Sequence, residues 1–110
     1  MSSDPNVVLV VLDTARADEV LSTTPTVMPT VLELGSTGTT YQNAYAAAPW
    51  TLPSHGSIFT GTYPSKHGAH GNNTYLGDEN RTLPEAFSES RYETLAVSNR
   101  SEERRVGKEC

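Results

Sequence analysis

The sequence predicts an α/β protein, a three-layer sandwich in which a mostly parallel central sheet has helices on both faces. Residues 7–12 form a continuous run of Val and Leu without polar alternation, which is typical of a strand buried on both faces of a parallel sheet. Strand-like and helix-like stretches then alternate along the chain, and this alternation favours a sheet covered by helices. The 110 residues are enough for one small domain.

Local signals place the elements in order. The strands are expected at residues 6–12, 39–45 and 93–97, the helices at 28–34, 53–60 and 83–90, and loops at 46–50 and 63–75. Gly35 and Gly61 are placed to end the first two helices, because glycine favours the position that follows a helix. Thr82 and Glu85 have the spacing of a capping box that opens the third helix.

The composition is acidic, with 13 Asp and Glu against eight Lys and Arg and a formal net charge of −5 at pH 7. A protein that binds a nucleic-acid backbone needs a basic surface, so we expect no nucleic-acid partner. Lys66 is the only lysine before residue 100. This balance suits either a halophilic protein of a salt-rich cytoplasm or an ordinary acidic domain.

The chain shows no sequence signal for a membrane. Its longest apolar run is far shorter than the roughly 20 residues that a membrane-spanning helix needs. The polar start Ser2, Ser3, Asp4 stands where a signal peptide has a basic and then an apolar region. We therefore expect a cytoplasmic protein with no membrane partner.

The last eleven residues differ in character from the rest. Residues 100–110 hold seven charged residues and resemble the translation of a DNA-sequencing adapter; a genuine charged helical tail is the alternative. We therefore expect residues 1–99 to be an N-terminal fragment of a larger domain and residues 100–110 to be a non-native tail. Cys110, the single cysteine, then carries no redox information, and we expect no disulfide or cysteine metal site.

Asp13 directly follows the apolar run, at the carboxyl end of the predicted first strand. In open α/β sheets, ligands bind at that edge, and a carboxylate there suits a hard divalent cation. The alternative is a turn or helix-cap aspartate, a position that Asp favours without any ligand. Arg16 and Asp18 follow within a turn and either orient Asp13 or pair with each other on the surface.

A hydroxyl group precedes the second predicted helix at Thr51. A helix N-terminus favours an anion such as a phosphoryl or sulfuryl group, because its first N–H groups lack helical partners and its dipole is positive there. Coordination to a metal would make the alkoxide of Thr51 accessible. Asp13, a metal and Thr51 thus form a coherent set if the fold brings them together. The alternative is that Thr51 or Ser54 simply caps the helix.

Three further residues are candidates for stabilising charge on an ester. His55 lies in the first turn of the predicted helix, where it can donate a hydrogen bond to ester oxygens or to Thr51. Lys66 and His67 lie in a turn-like stretch and are candidates for stabilising the transition state. A loop histidine is more often structural or exposed, and that alternative stays open for His67.

Several motifs, in the right order, resemble the sulfatases of the alkaline-phosphatase superfamily over residues 6–99. Residues 6–13 resemble the family's first strand and its metal-binding aspartate, and residues 28–34 resemble its T-P-N-L-D-x-L helix. Residues 41–45 resemble F-x-N-A-Y. Residues 51–68 resemble the signature C/S-x-P-S-R-x-x-x-x-T-G-x-Y-P-x-x-H-G.

The resemblance implies an alkaline-phosphatase-like fold, here truncated, with Asp13 and Thr51 as metal ligands. Thr51 falls on the nucleophile, which in the family is a formylglycine made from Cys or Ser, and threonine does not give that aldehyde. His55 falls on the signature arginine, and Thr14 stands where many sulfatases have a second consecutive aspartate. The later ligand pair, Asp-His or Asp-Asn, and a catalytic Lys-x-His region would lie beyond Asn99.

We therefore expect the intact parent to hydrolyse sulfate esters, with Thr51 as nucleophile, and the 110-residue chain to be inactive alone. Its metal is expected to be calcium. The second hypothesis is a phosphodiesterase or phosphotransferase of the same superfamily, with a direct threonine nucleophile and zinc or manganese. The third is a non-catalytic member that binds anionic ligands. In each case the partner is a small-molecule or glycan ester of sulfate or phosphate.

Overall fold

The computed structural model describes residues 4–98 of the protein. The helices in this range are α1 (Ala17–Val20), α2 (Pro29–Thr37), α3 (Thr51–Thr60), α4 (Pro64–His67) and α5 (Leu83–Glu89). The pattern of contacts divides the protein into two compact units, with the division after Ala44. The first unit holds α1 and α2, and the second unit holds α3, α4 and α5.

The predicted three-layer α/β sandwich is wrong for the described residues. None of the three expected strands forms there, and the one β pairing in residues 4–98 is an isolated bridge between Thr23 and Thr26. A strand is held by hydrogen bonds to neighbouring strands, and a central parallel strand is also covered on both faces. The run at residues 7–12 has no strand beside it, and its side chains are 41–83% exposed. Apolar pattern alone therefore does not make a sheet.

The first predicted helix forms as α2 but runs further than expected. Pro29 opens the helix, where its missing N–H costs nothing. Gly35, which was expected to end the helix, lies inside it, because one glycine costs a helix only about 1 kcal/mol. The helix ends at Gly38, whose N–H donates to the carbonyl of Leu34 at 2.8 Å.

The second predicted helix is confirmed as α3 and begins two residues early, at Thr51. Gly61 ends it as predicted, with a φ of 68°. Glycine adopts this left-handed conformation without the steric cost of a Cβ atom. The stretch at residues 63–75, predicted as loop, contains the single-turn helix α4, which ends at Gly68.

The N-cap half of the capping box predicted at the start of the third helix is confirmed. Thr82 is the N-cap of α5, and its hydroxyl oxygen accepts the N–H of Glu85 at 3.5 Å. The ring of Phe87, inside α5, and the ring of Tyr92, after the helix, meet edge to face with their centroids 4.9 Å apart. This contact fixes the chain that leaves α5 against the helix.

The interior of the second unit is small, and half of its buried side chains are polar. Helix α3 packs against α4 and α5, and the buried side chains there are Pro53, His67, Ala69 and Thr82. Few large apolar side chains are buried in this unit, so hydrogen bonds between its segments hold the segments in position.

Two further expectations concern the membrane and the tail. Between residues 4 and 98, no helix combines the length and the apolar character that crossing a bilayer requires. Residues 100–110, the expected non-native tail, lie outside the described residues. The division at residue 99 therefore stays a prediction.

Replacing Thr82 by valine is expected to lower the free energy of unfolding by about 1 kcal/mol, because the first turn of α5 loses its cap. Valine keeps the volume of threonine, and Thr82→Ser keeps the hydroxyl as a control. Urea unfolding followed by circular dichroism measures both. An equal loss in the two variants would assign the effect to packing instead of capping.

Candidate functional site

The start of α3 brings Thr51 to the positive end of a ten-residue helix. Trp50 is the N-cap residue, with extended backbone at φ −141° and ψ 166°, and its side chain makes no capping hydrogen bond. Because the cap position belongs to Trp50, Thr51 is the first helical residue and not the cap. The N–H groups of this turn are the kind that bind oxyanions at helix N-termini.

His67, at the end of α4, is only 2% exposed, and both of its ring nitrogens are engaged inside the protein. Nδ1 accepts the backbone N–H of Ala69 at 3.0 Å, so this nitrogen carries no proton. Nε2 lies 3.1 Å from the carbonyl oxygen of Pro53 and 3.1 Å from Oγ of Ser57. A carbonyl oxygen only accepts, so Nε2 carries the proton, and these partners assign the neutral Nε2–H tautomer.

This tautomer decides what the pair of Ser57 and His67 can do. A serine hydroxyl at 3.1 Å from an imidazole nitrogen has the spacing of a nucleophile and its general base. A base must offer a lone pair, and the lone pair of His67 is on Nδ1, which faces Ala69. Ser57 is therefore an acceptor for His67 in this arrangement and not a nucleophile that His67 activates.

Gly56 is what allows the imidazole to lie against α3. A Cβ atom at Gly56 would lie 2.8 Å from Cε1, 3.1 Å from Nε2 and 3.2 Å from Nδ1 of His67. The first of these distances is shorter than real side chains tolerate, and the ring is held by backbone groups on two sides. The helix and the ring thus approach each other as closely as a residue without a side chain permits.

An asparagine fixes the backbone of His67 from the far side of the loop. Nδ2 of Asn80 donates to the carbonyl of His67 at 3.1 Å and to that of Gly77 at 3.2 Å. The sequence does not single out Gly56, Ser57 or Asn80 as site residues. A glycine inside a predicted helix is a signal of close packing, but the sequence does not show which partner approaches it.

His55 and Lys66 lie in the same unit as Thr51. His55 follows Thr51 by four residues in α3, a spacing that places two side chains on the same face of a helix, and it is half-buried. Lys66 is exposed in the last turn of α4, which packs on α3. Their expected roles toward an ester are consistent with these positions and stay predictions.

Asp13 lies in the first unit, in a turn that directly follows the apolar run at residues 7–12. Thr14, next to it, has a φ of 64°, a left-handed conformation that is uncommon for a β-branched residue. Such conformations are concentrated at functional sites, where the surrounding structure holds them. Asp13 and Thr51 belong to different units, and their pairing around a metal stays a prediction.

Of the two alternatives for Arg16 and Asp18, the structure shows mutual pairing. Nε and a terminal nitrogen of Arg16 donate to the two carboxylate oxygens of Asp18 at 3.0 and 2.7 Å. This side-chain hydrogen bond lowers the pKa of the Asp18 carboxyl below its usual range. Both side chains are exposed, so the pair is a surface feature of small energetic weight.

The donor chemistry of the expected metal ligands is suitable, but the set is incomplete. The carboxylate of Asp13 and the hydroxyl of Thr51 offer the oxygen ligands that hard divalent cations prefer. Among residues 4–98, no group of three or more His, Cys, Asp or Glu side chains is arranged to hold a metal ion.

Comparison with known proteins decides the family. The sequence model of the family described as Sulfatase matches residues 5–105, nearly the whole chain. The chain belongs to the sulfatase family. This confirms the resemblance carried by the motifs from residue 6 onward and makes the protein a member of a family of hydrolases. Searches of curated proteins and of solved structures gave no match.

Replacing Gly56 by alanine is expected to lower the free energy of unfolding by about 1–3 kcal/mol, because the new methyl group meets the His67 ring. This is opposite in sign to the gain of about 1 kcal/mol that alanine gives an exposed helix position. Urea unfolding of Gly56→Ala, His67→Ala and the double variant measures the coupling between the two sites. If Gly56→Ala costs the same without the ring, the contact is not its cause.

Proposed function

We propose that this sulfatase-family protein is a metal-dependent hydrolase of sulfate esters in which Thr51 is the nucleophile and Asp13 a metal ligand. The observation that carries the proposal is the position of Thr51 as the first residue of α3, after an N-cap that makes no side-chain hydrogen bond. A hydroxyl placed there is next to the backbone N–H groups that bind an oxyanion. The family match covers this segment.

The reaction follows from that position. The sulfuryl oxygens of the substrate bind the first N–H groups of α3, at Thr51 and Leu52, since Pro53 has none. This orients sulfur toward Oγ of Thr51. Oγ attacks sulfur in line, the hydroxyl proton passes to solvent, and the bond to the leaving oxygen breaks with its electron pair. The leaving oxygen then takes up a proton. Water attacks sulfur in a second step and releases sulfate and the threonine hydroxyl.

His55 and Lys66 are proposed to act on charge that develops during this reaction. His55 lies one turn along α3 from Thr51 and takes the place of the family's signature arginine, where it donates to an ester oxygen. Lys66 brings a positive charge on the adjoining α4. Groups placed in advance where charge develops are usually the largest contribution to catalysis.

Asp13 and the hydroxyl of Thr51 are proposed to hold a divalent cation, calcium for sulfate-ester hydrolysis, together with residues outside 4–98. When bound, such a cation supplies Lewis-acid chemistry that makes a coordinated hydroxyl a stronger nucleophile. The turn at Asp13 and Thr14, with its left-handed conformation, supports a specialised role for this carboxylate.

A second function is favoured by the identity of residue 51. Threonine does not give the formylglycine of sulfatases, but it can attack phosphorus directly. A phosphodiesterase or phosphotransferase of the same superfamily, with zinc or manganese, would use the same position in the same way. The substrate in either case is a small-molecule or glycan ester, and the two functions differ in the ester that is turned over.

Replacing Thr51 by alanine is expected to lower kcat on the preferred ester by on the order of 10³-fold or more, since the nucleophile is lost. The intact protein and the variant are assayed on aryl sulfates, phosphodiesters and phosphonate esters with calcium, zinc or manganese. The ester that shows turnover separates sulfatase from phosphodiesterase. Thr74→Ala, at an exposed loop threonine, is the matched control. Equal turnover by Thr51→Ala and the unchanged protein would refute the nucleophile.

Replacing Asp13 by asparagine is expected to weaken divalent-cation binding by at least about 10- to 100-fold, because a charged ligand becomes neutral. Isothermal titration calorimetry with calcium, zinc and manganese measures the affinity. Asp18→Asn is the control, because Asp18 is occupied by its surface pair with Arg16. A protein that binds none of these cations would instead be a non-catalytic member of the family.

A further inference from the structure

We propose that His67 is a positioning residue, which sets the geometry of the α3 N-terminus through its ring and does not itself touch the ester. The inference rests on the proposed function in one respect, namely that Thr51 at this N-terminus is the nucleophile. It differs from the sequence-based expectation that His67 stabilises charge in the transition state. The contacts of the imidazole carry the argument.

The imidazole joins the first turn of α3 to the loop that follows α4. Its Nε2–H points at the carbonyl of Pro53, which is two residues after Thr51, and at the hydroxyl of Ser57, one turn further along. Its Nδ1 accepts the N–H of Ala69, which lies beyond the end of α4. One planar ring therefore fixes the distance between two segments that are separated by more than a helical turn of sequence.

The fit between ring and helix makes this link stiff. Because Gly56 has no side chain, the ring edge lies directly against α3, where an added Cβ atom would be within 2.8–3.2 Å of three ring atoms. Behind the ring, the amide of Asn80 holds the main-chain carbonyl of His67. Movement of the ring is thus transmitted to the first turn of α3 instead of being absorbed by loose packing.

The same contacts remove His67 from direct chemistry. A histidine that stabilises an ester must present an N–H to it, and the single ring N–H of this tautomer is already directed at Pro53 and Ser57. The side chain is also 2% exposed, whereas a residue that meets a substrate needs an open path. Lys66, the preceding residue, is exposed and has such a path.

Two substitutions separate the two ends of the ring. In His67→Gln the side-chain amide reaches the position of Nε2 and still donates to Pro53, whereas in His67→Asn the carbonyl reaches only the position of Nδ1 and still accepts from Ala69.

Trp50, the single tryptophan of the chain, is the N-cap of α3 and is 47% exposed. Its emission maximum and its quenching by acrylamide therefore report on the start of α3 without any catalysis.

The expected result is that His67→Asn, which loses the donor to Pro53 in α3, changes the emission and the quenching of Trp50 at temperatures well below its Tm. His67→Gln, which keeps that donor and loses only the acceptor for Ala69, is expected to change both signals much less. In the intact enzyme, we expect the kcat of His67→Asn to fall by on the order of 10²-fold with little change in KM, as for a misplaced reacting group. In His67→Gln, kcat is expected to be restored. His70→Asn, at an exposed histidine of the same loop, is the control and changes nothing.

Two results would overturn the proposal. If both variants fold and both keep the Trp50 signal of the unchanged protein, His67 does not set the start of α3. If neither variant folds, ¹⁵N NMR of the unchanged protein decides, because a proton on Nδ1 is incompatible with the contact to Ala69, and a proton on Nε2 supports it. The Trp50 signal and the NMR measurement do not depend on turnover. If Thr51 is not the nucleophile, both still test the role of His67, so the failure of one proposal can be told from the failure of the other.

Discussion

A buried imidazole in contact with a helix backbone is the constraint around which the second unit is built. Few large apolar side chains are buried in this unit, so His67 does the work that a leucine or phenylalanine does in an ordinary core, while also requiring hydrogen bonds. A buried polar group without partners costs about 1–3 kcal/mol. The groups that meet the ring are backbone atoms of Pro53 and Ala69 and the hydroxyl of Ser57, so the fold and the tautomer depend on each other.

This arrangement links stability to chemistry at the start of α3. The reacting hydroxyl proposed at Thr51 is only two residues from the carbonyl that His67 holds. A helix that begins with an uncapped turn tends to fray. Fraying would disorder the N–H groups that bind the oxyanion and the hydroxyl of Thr51. Anchoring the turn through the carbonyl of Pro53 stabilises it without a side-chain cap at Trp50.

The sequence predicted what depends on a few neighbouring residues. The N-cap at Thr82 and the helix end at Gly61 are local signals, and both are present in the structure. The sheet depends on hydrogen bonds between distant segments, and no property of residues 7–12 supplies their partners. The motifs were sufficient for the family. The motifs did not predict the burial of His67. The sequence His-Gly is the same whether the ring points toward solvent or packs against a helix.

The exposed apolar run before Asp13 has a consequence for how the protein behaves in solution. Residues 7–12 are uncharged, free of proline, outside any helix or strand, and exposed within the described structure. A segment of this kind pairs readily with a copy of itself through in-register backbone hydrogen bonds. Pairing of two copies depends on the square of the protein concentration. Dilution therefore disfavours any such pairing.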